Sequence, residues 1–186
     1  MTDGPGRIGG ERQWTYRFLD AHVDHVRFPD GSTGDQVLIH HPGAAAVLPV
    51  LSDLAGADPQ VLLIRQYRYA TDGYLWEIPA GRLEPNENPV ECAHRELLEE
   101  VGCRCERLVP LTTIWTAPGF TNEKIHLYAA VGLTQGEAAR EPDEFIEVHP
   151  LPMTQVLAMI RDGEIRDAKT ISAVLYAAGY SDVLSR

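Results

Sequence analysis

Apolar residues recur along this chain mostly in short runs of strand length. "AAAVLPVLS" (44–52) and "QVLLIRQYR" (60–68) are two such runs, and "DLAGADPQ" between them predicts a hairpin loop. Upstream, "WTYRFLDAHVDHVRFPDGSTGDQVLIHHPG" reads as shorter strands, with Pro29-Asp30-Gly31 marking a turn. "YLWEIPAGRLE" predicts a short strand that enters a Pro-Ala-Gly turn. "LVPLTTIWTAPGF" and "EKIHLYAAVGL" predict strands around a Pro-Gly loop, and "FIEVHPLP" a further one. Helical spacing appears three times. In the first helix Asn88 is an N-cap, Pro89 fits the first helical position, Glu91 completes a capping box, and Gly102 marks the stop. The other two cover 154–161 and 167–178, opened by Thr154 and Asp167 and followed by Gly163 and Gly179. Strands interleaved with a few helices predict an α/β (α+β) sandwich, one domain with a small appended element. The glycine-rich start "MTDGPGRIGGERQW" is expected to fray.

Charge narrows the partners. The chain carries 27 Asp and Glu against 16 Lys and Arg, a net charge of −11. That balance argues against a nucleic-acid backbone as partner. It leaves room for small anionic substrates if divalent cations stand between the two negative groups. No apolar run approaches the ~18 residues of a membrane span, and the N-terminus lacks the apolar core of a secretory signal. Cys92, Cys103 and Cys105 are an odd number of thiols, which suits reduced cysteines in the cytoplasm. Cys103 and Cys105 have no companion cluster that would close a zinc site, and the histidines, His40-His41 included, form no ligand set.

The acidic stretch "GRLEPNENPVECAHRELLEEVGC" (81–103) raises a sharper question. On a helix turning about 100° per residue, Glu100 lies about 40° to one side of Glu96 and Glu99 about 60° to the other. Ala93, Leu97, Val90 and Val101 fall about 60–140° around from Glu96, which places the acidic face beside the core stripe. Two readings fit this pattern equally. One is a solvated charged face, with Arg95 offsetting part of the repulsion. The other is a site for a hard cation, because carboxylates at this spacing suit magnesium, calcium or manganese.

The full spacing separates them. From Gly81 the order is five residues, Glu87, seven residues, then Arg95-Glu96-Leu97-x-Glu99-Glu100-x-Gly102-Cys103. This resembles the signature box of the Nudix hydrolases, with Cys103 standing where the box ends in a larger aliphatic residue. The resemblance implies a Nudix α/β/α sandwich with a mixed β-sheet over residues 43–186. It also implies a small N-terminal antiparallel β region over 1–42 that serves homodimerisation. The implied activity is hydrolysis of a nucleoside diphosphate linked to another group, with magnesium (manganese as a substitute) held by the box helix. By the same resemblance Glu96, Glu99 and Glu100, with the main-chain carbonyl of Ala80, are the metal ligands, and Arg95 holds those glutamates in place.

The likeness extends beyond the box. "RQYRYATDGYLWEIPAGRLE" is similar to the segment that precedes the box in ADP-ribose pyrophosphatases and nucleotide-sugar hydrolases. It implies that Arg68, and less directly Arg82, contacts substrate phosphate through its guanidinium. Pro118, fifteen residues after Cys103, resembles a marker of the ADP-ribose subgroup. Trp14, followed by Tyr16 and Phe28, is the candidate for stacking on the nucleobase, against the ordinary packing role of strand aromatics. The general base in this subgroup is a loop glutamate. "REPDEFIEVHPL" offers Glu141, Asp143, Glu144 and Glu147, of which Glu144 is the first choice and Glu141 the second. The implied reaction converts ADP-ribose or a similar ADP-sugar to AMP and a sugar phosphate. A GDP-mannose or broad NDP-sugar pyrophosphatase is the near alternative, and a non-catalytic nucleotide-sensing Nudix module the distant one.

Overall fold

The computed structural model describes residues 4–52, 56–136 and 145–180. Among the described residues, ten strands and three α-helices follow one another as β1 Gly6–Tyr16, β2 Leu19–Arg27, β3 Thr33–His40, β4 Ala44–Pro49, β5 Gln60–Arg68, β6 Gly73–Glu77, β7 Ala80–Arg82, α1 Pro89–Val101, β8 Cys103–Trp115, β9 Lys124–Gln135, β10 Ile146–Pro152, α2 Met153–Arg161 and α3 Ala168–Gly179. No described helix is long and apolar enough to cross a membrane. The chain divides into two compact units. One comprises Met1–Gly43 with Trp115–Lys124, the other Ala44–Ile114 with Ile125–Arg186.

In the first unit β1, β2 and β3 form an antiparallel sheet in that order. The predicted turn is present: Gly31 has φ 86°, Gly31 N–H donates to Phe28 O at 3.0 Å, and Asp30 Oδ1 accepts from the Ser32 amide. Of the start expected to fray, Gly6 onward forms strand β1, and residues 1–3 lie outside the described residues. Gly10, at φ 141°, passes so close to β2 that an added Cβ would meet Asp24 Oδ1 at 2.5 Å. Arg7 Nε donates to the same buried Asp24 at 2.7 Å. The glycines that suggested disorder let the strand approach its neighbour closely. The 115–124 segment joins this sheet through Ile39, whose N–H donates to Phe120 O at 2.8 Å.

The second unit holds a sheet ordered β7-β4-β9-β8 and another ordered β10-β5-β6. The first is mixed, with β4 parallel to β9 and antiparallel to β7. Strand β4 is buried along its whole length. Its alternate residues serve two cores. Ala44, Ala46 and Leu48 join Val61 and Leu63 against α2 and α3, while Ala45 and Val47 join Leu62 and Ile64 against α1. This is the predicted α/β/α sandwich. The expected β4–β5 hairpin is reduced to one bridge, Val50 to Val61. The reason is that both edges of each strand are taken by other partners, β7 and β9 for β4, β10 and β6 for β5.

Helix α2 departs from its expected cap. Its N-cap is Pro152, which has no side-chain bond to give. The Thr154 amide and hydroxyl are met instead by Asp58, at 3.0 and 2.8 Å, across 96 residues of sequence. Helix α3 begins as expected, with Asp167 accepting from Thr170 N–H.

Candidate active site

Helix α1 realises its sequence signals. Asn88 Oδ1 accepts the amides of Val90 and Glu91, Glu91 Oε2 accepts the Asn88 amide, and Gly102 closes the helix in the left-handed region at φ 67°. The buried arc is wider than the apolar stripe. Cys92, Ala93, Glu96, Leu97, Glu100 and Val101 are buried, while Val90 in the first turn is exposed. Glu96 and Glu100 thus lie within the packed face rather than beside it. They do so because β7 runs under α1 with little side-chain bulk. Glu100 Oε2 accepts the Ala80 amide at 3.0 Å, and the Glu96 carboxylate occupies the space that a Cβ on Gly81 would fill.

Arg95 gathers the remaining acids. Its Nε and Nη2 form a fork on the two oxygens of Glu87, at 2.8 and 3.0 Å. Its Nη1 donates to Glu96 Oε1 at 2.5 Å and to Glu99 Oε2 at 3.0 Å, and Nη2 reaches the Arg82 carbonyl at 3.1 Å. The Glu87 contact above all, together with Glu96 and Glu99, raises the guanidinium pKa further and keeps it charged. The Arg95 hydrogen bonds lower the Glu87 pKa from its ordinary value. Behind this cluster, burial pushes the Cys92 thiol up to about 12, and its Sγ donates to the Gly81 carbonyl.

Among the described residues no three Asp, Glu, His or Cys side chains converge on one point as an enclosed ion would need. The carboxylates are turned to Arg95 and to the Ala80 amide. Their chemistry nonetheless fits a hard divalent cation: the donors are oxygens, three carboxylates share one helix face, and Gly81 makes room for Glu96. A carboxylate that accepts one bond from arginine still has a second oxygen to coordinate with.

The other sequence candidates are distributed as follows. Arg68 lies at the end of β5, with Nε and Nη2 each 2.8 Å from the oxygens of Glu77. Arg82 is exposed and meets Arg95 through its carbonyl. Trp14 and Pro118 belong to the first unit. Trp14 is half-exposed on β1, and Pro118 lies in the turn closed by the Phe120 and Thr121 amides on Ala117 O. Tyr16 is exposed, whereas the Phe28 ring packs against Gly34 of its own sheet. Glu144, Glu141 and Asp143 lie outside the described residues. Glu147 pairs with Arg65 at 3.6 Å.

Sequence reasoning passed over a buried ionic group beside Arg68. Glu77 is 1% exposed and receives Lys169 Nζ as well as Arg68, and Lys169 lies 3.1 Å from Asp167. Burial alone would raise the Glu77 pKa, but the Arg68 hydrogen bonds and the charges of Lys169 and Arg68 outweigh it and lower the value. The available signal was a lone acid in the apolar run "YLWEIP" and a lone lysine opening "AKTISAVLYAA".

The NUDIX domain profile matches residues 40–174. The chain is 38% identical to the methanol dehydrogenase activator of Bacillus methanolicus, over 91% of this chain and 90% of that protein. It is 34% identical to the ADP-ribose pyrophosphatase of Bacillus subtilis, with the same coverage. It is 40% identical to the GDP-mannose pyrophosphatase of Yersinia enterocolitica, over 63% of this chain and 65% of that one. A crystal structure of an ADP compounds hydrolase superposes with a TM-score of 0.82, over 98% of this chain and 97% of the other. At 21% identity that likeness is one of fold.

Proposed function

The chain belongs to the Nudix family, and on that premise we propose that it hydrolyses the pyrophosphate bond of ADP-ribose or a similar ADP-sugar to AMP and a sugar phosphate. The observation that carries this reading is the packing of Glu96 and Glu100 against the bare backbone of Ala80 and Gly81, with Arg95 tying Glu96 to Glu87 and Glu99. Magnesium, or manganese in its place, would be held by Glu96, Glu99, Glu100 and the Ala80 carbonyl. When bound, such an ion neutralises pyrophosphate charge and lowers the pKa of an attacking water. Arg95 orients Glu96 and Glu99 and keeps their mutual repulsion low. In this reading Glu144, or Glu141, takes the proton of the water as it adds to phosphorus and the bridging P–O bond breaks. Arg68 and Arg82 face the phosphates, and Trp14 stacks on the base. The relatives named for ADP-ribose span most of the chain, which supports the ADP-sugar choice over GDP-mannose.

The N-terminal sheet would pair two copies into a homodimer, and Ile8, Trp14 and Tyr16, all exposed on β1, support that role. Its test is the molar mass in solution. The free thiols suit the cytoplasm.

A substrate panel with magnesium and product identification tests the activity. ADP-ribose is expected to lead. An order-of-magnitude preference for GDP-mannose would select the second reading, which the 40% identity to GDP-mannose pyrophosphatases favours. Glu100→Gln is expected to lower turnover by at least ~100-fold through loss of a ligand to the catalytic ion. Unchanged turnover would remove the metal assignment. Glu144→Gln is expected to slow chemistry while substrate binding is kept. A rate loss confined to Glu141→Gln would move the base to that residue.

A further inference from the structure

Strand β6 ends in a carboxylate that has almost no contact with water. Glu77 is 1% exposed, and its neighbour across the ladder is Ile64, which packs toward α1. Side chains alternate along a strand, so Arg68, four residues beyond Ile64 on β5, faces the same way. Its guanidinium uses Nε and Nη2 on the two oxygens of Glu77. That two-point contact fixes the plane of the group and directs the remaining amine, Nη1, away from Glu77. The side chain is 40% exposed although its partner is buried, so one edge is anchored and another is presented outward. The hydrogen bonds to Glu77 raise the Arg68 pKa, and the charges of Glu77, Glu100 and Asp167 add to that effect.

One cation would suffice to neutralise Glu77, yet a second is present. Lys169, at the start of α3, is 9% exposed and also binds Glu77 Oε2. Its other neighbour is Asp167, which caps α3 by accepting the Thr170 amide. Asp167 balances the charge of Lys169, so Lys169 serves to hold the Glu77 carboxylate in place rather than to add charge. Arg68 is left oriented, with Nη1 turned away from Glu77.

We infer that Glu77 and Lys169 are positioning residues that hold Arg68 for the phosphates of the substrate. The inference rests on the functional reading above, in which Arg68 meets those phosphates. Glu77 sets the direction of the guanidinium, and Lys169 fixes the Glu77 carboxylate. The helix α3 N-terminus, anchored through Asp167, is thereby part of substrate recognition although no residue of α3 belongs to the signature box.

The test is a double-mutant cycle in steady-state kinetics with ADP-ribose and magnesium. Lys169→Met and Glu77→Gln are each expected to raise KM about tenfold while kcat changes by less than about threefold, the pattern of lost substrate binding. Lys169→Arg is expected to recover most of the wild-type KM. In an Arg68→Ala background, Lys169→Met and Glu77→Gln are expected to add almost nothing, because residues acting through one group are not additive. A KM effect equally large without Arg68 would overturn the inference, as would variants that lose thermal stability but keep wild-type KM. If Lys169→Met does not fold, Glu77→Gln alone carries the cycle with Arg68→Ala. Wild-type protein that turns over neither ADP-ribose nor GDP-mannose would remove the functional reading and this inference with it. Wild-type turnover with no Arg68-dependent change would remove the inference and the phosphate role of Arg68, and leave the proposed activity standing.

Discussion

Gly81 lies so close beneath Glu96 that a Cβ built on it would stand 1.6 Å from the carboxylate oxygen Oε1. The displaced atom would be the end of a flexible side chain, and the Gly81 backbone is not in the left-handed region, so the fold can accommodate the change. Gly81→Ala is therefore expected to lower turnover by about 10–100-fold through misplacement of one carboxylate, at a stability loss of about 1 kcal/mol or less. Turnover and thermal unfolding measured on the same preparation check this. Wild-type turnover would show that the Glu96 position is unimportant, and an unfolded variant would show that the glycine serves packing.

Acid should loosen the protein through Glu77. Its folded pKa lies below the ordinary 4.5, because the Arg68 and Lys169 contacts outweigh the opposing effect of burial. A carboxylate with a depressed folded pKa contributes stability that is present above its unfolded pKa and lost as pH falls through the folded value. Denaturant midpoints are thus expected to hold from neutral pH down to about 4.5 on this group's account, then to fall. Glu77→Gln should be less stable near neutrality and show a shallower acid decline. An identical acid slope in wild type and variant would assign the decline to other carboxylates.

The thiols give a separate check on packing. Cys92 is fully buried, with its pKa pushed up to about 12, and Cys103 is buried and raised in the same direction. Cys105 is half-buried and also raised by burial. At pH 8 the thiolate fraction of Cys92 is on the order of one in ten thousand. A thiol reagent should therefore label Cys105 first and slowly, and Cys92 and Cys103 only after denaturation. Rapid labelling of native Cys92 would contradict the packing of α1 on β7.

The residues divide by the range of the interactions that place them. Asn88, Glu91, Gly102 and the common face of Glu96, Glu99 and Glu100 follow from helix geometry over one to four turns, so the chain's order of residue types determined them. The α/β sandwich class followed from the alternation of apolar runs and capped helices, and its mixed α/β/α form from the resemblance carried by the 81–103 box. The tertiary structure alone decided how deeply Glu96 and Glu100 are buried, because that depends on Ala80 and Gly81 passing beneath the helix. It also decided that β4 and β5 part into different sheets, that Asp58 caps α2, and that the 115–124 segment joins the N-terminal unit. The group Arg68, Glu77 and Lys169 shows the limit most clearly. Lys169 and Glu77 are 92 residues apart, and no periodicity of strand or helix relates positions at that distance. Only the packing of α3 against the sheet makes them neighbours, and only burial gives their charges weight.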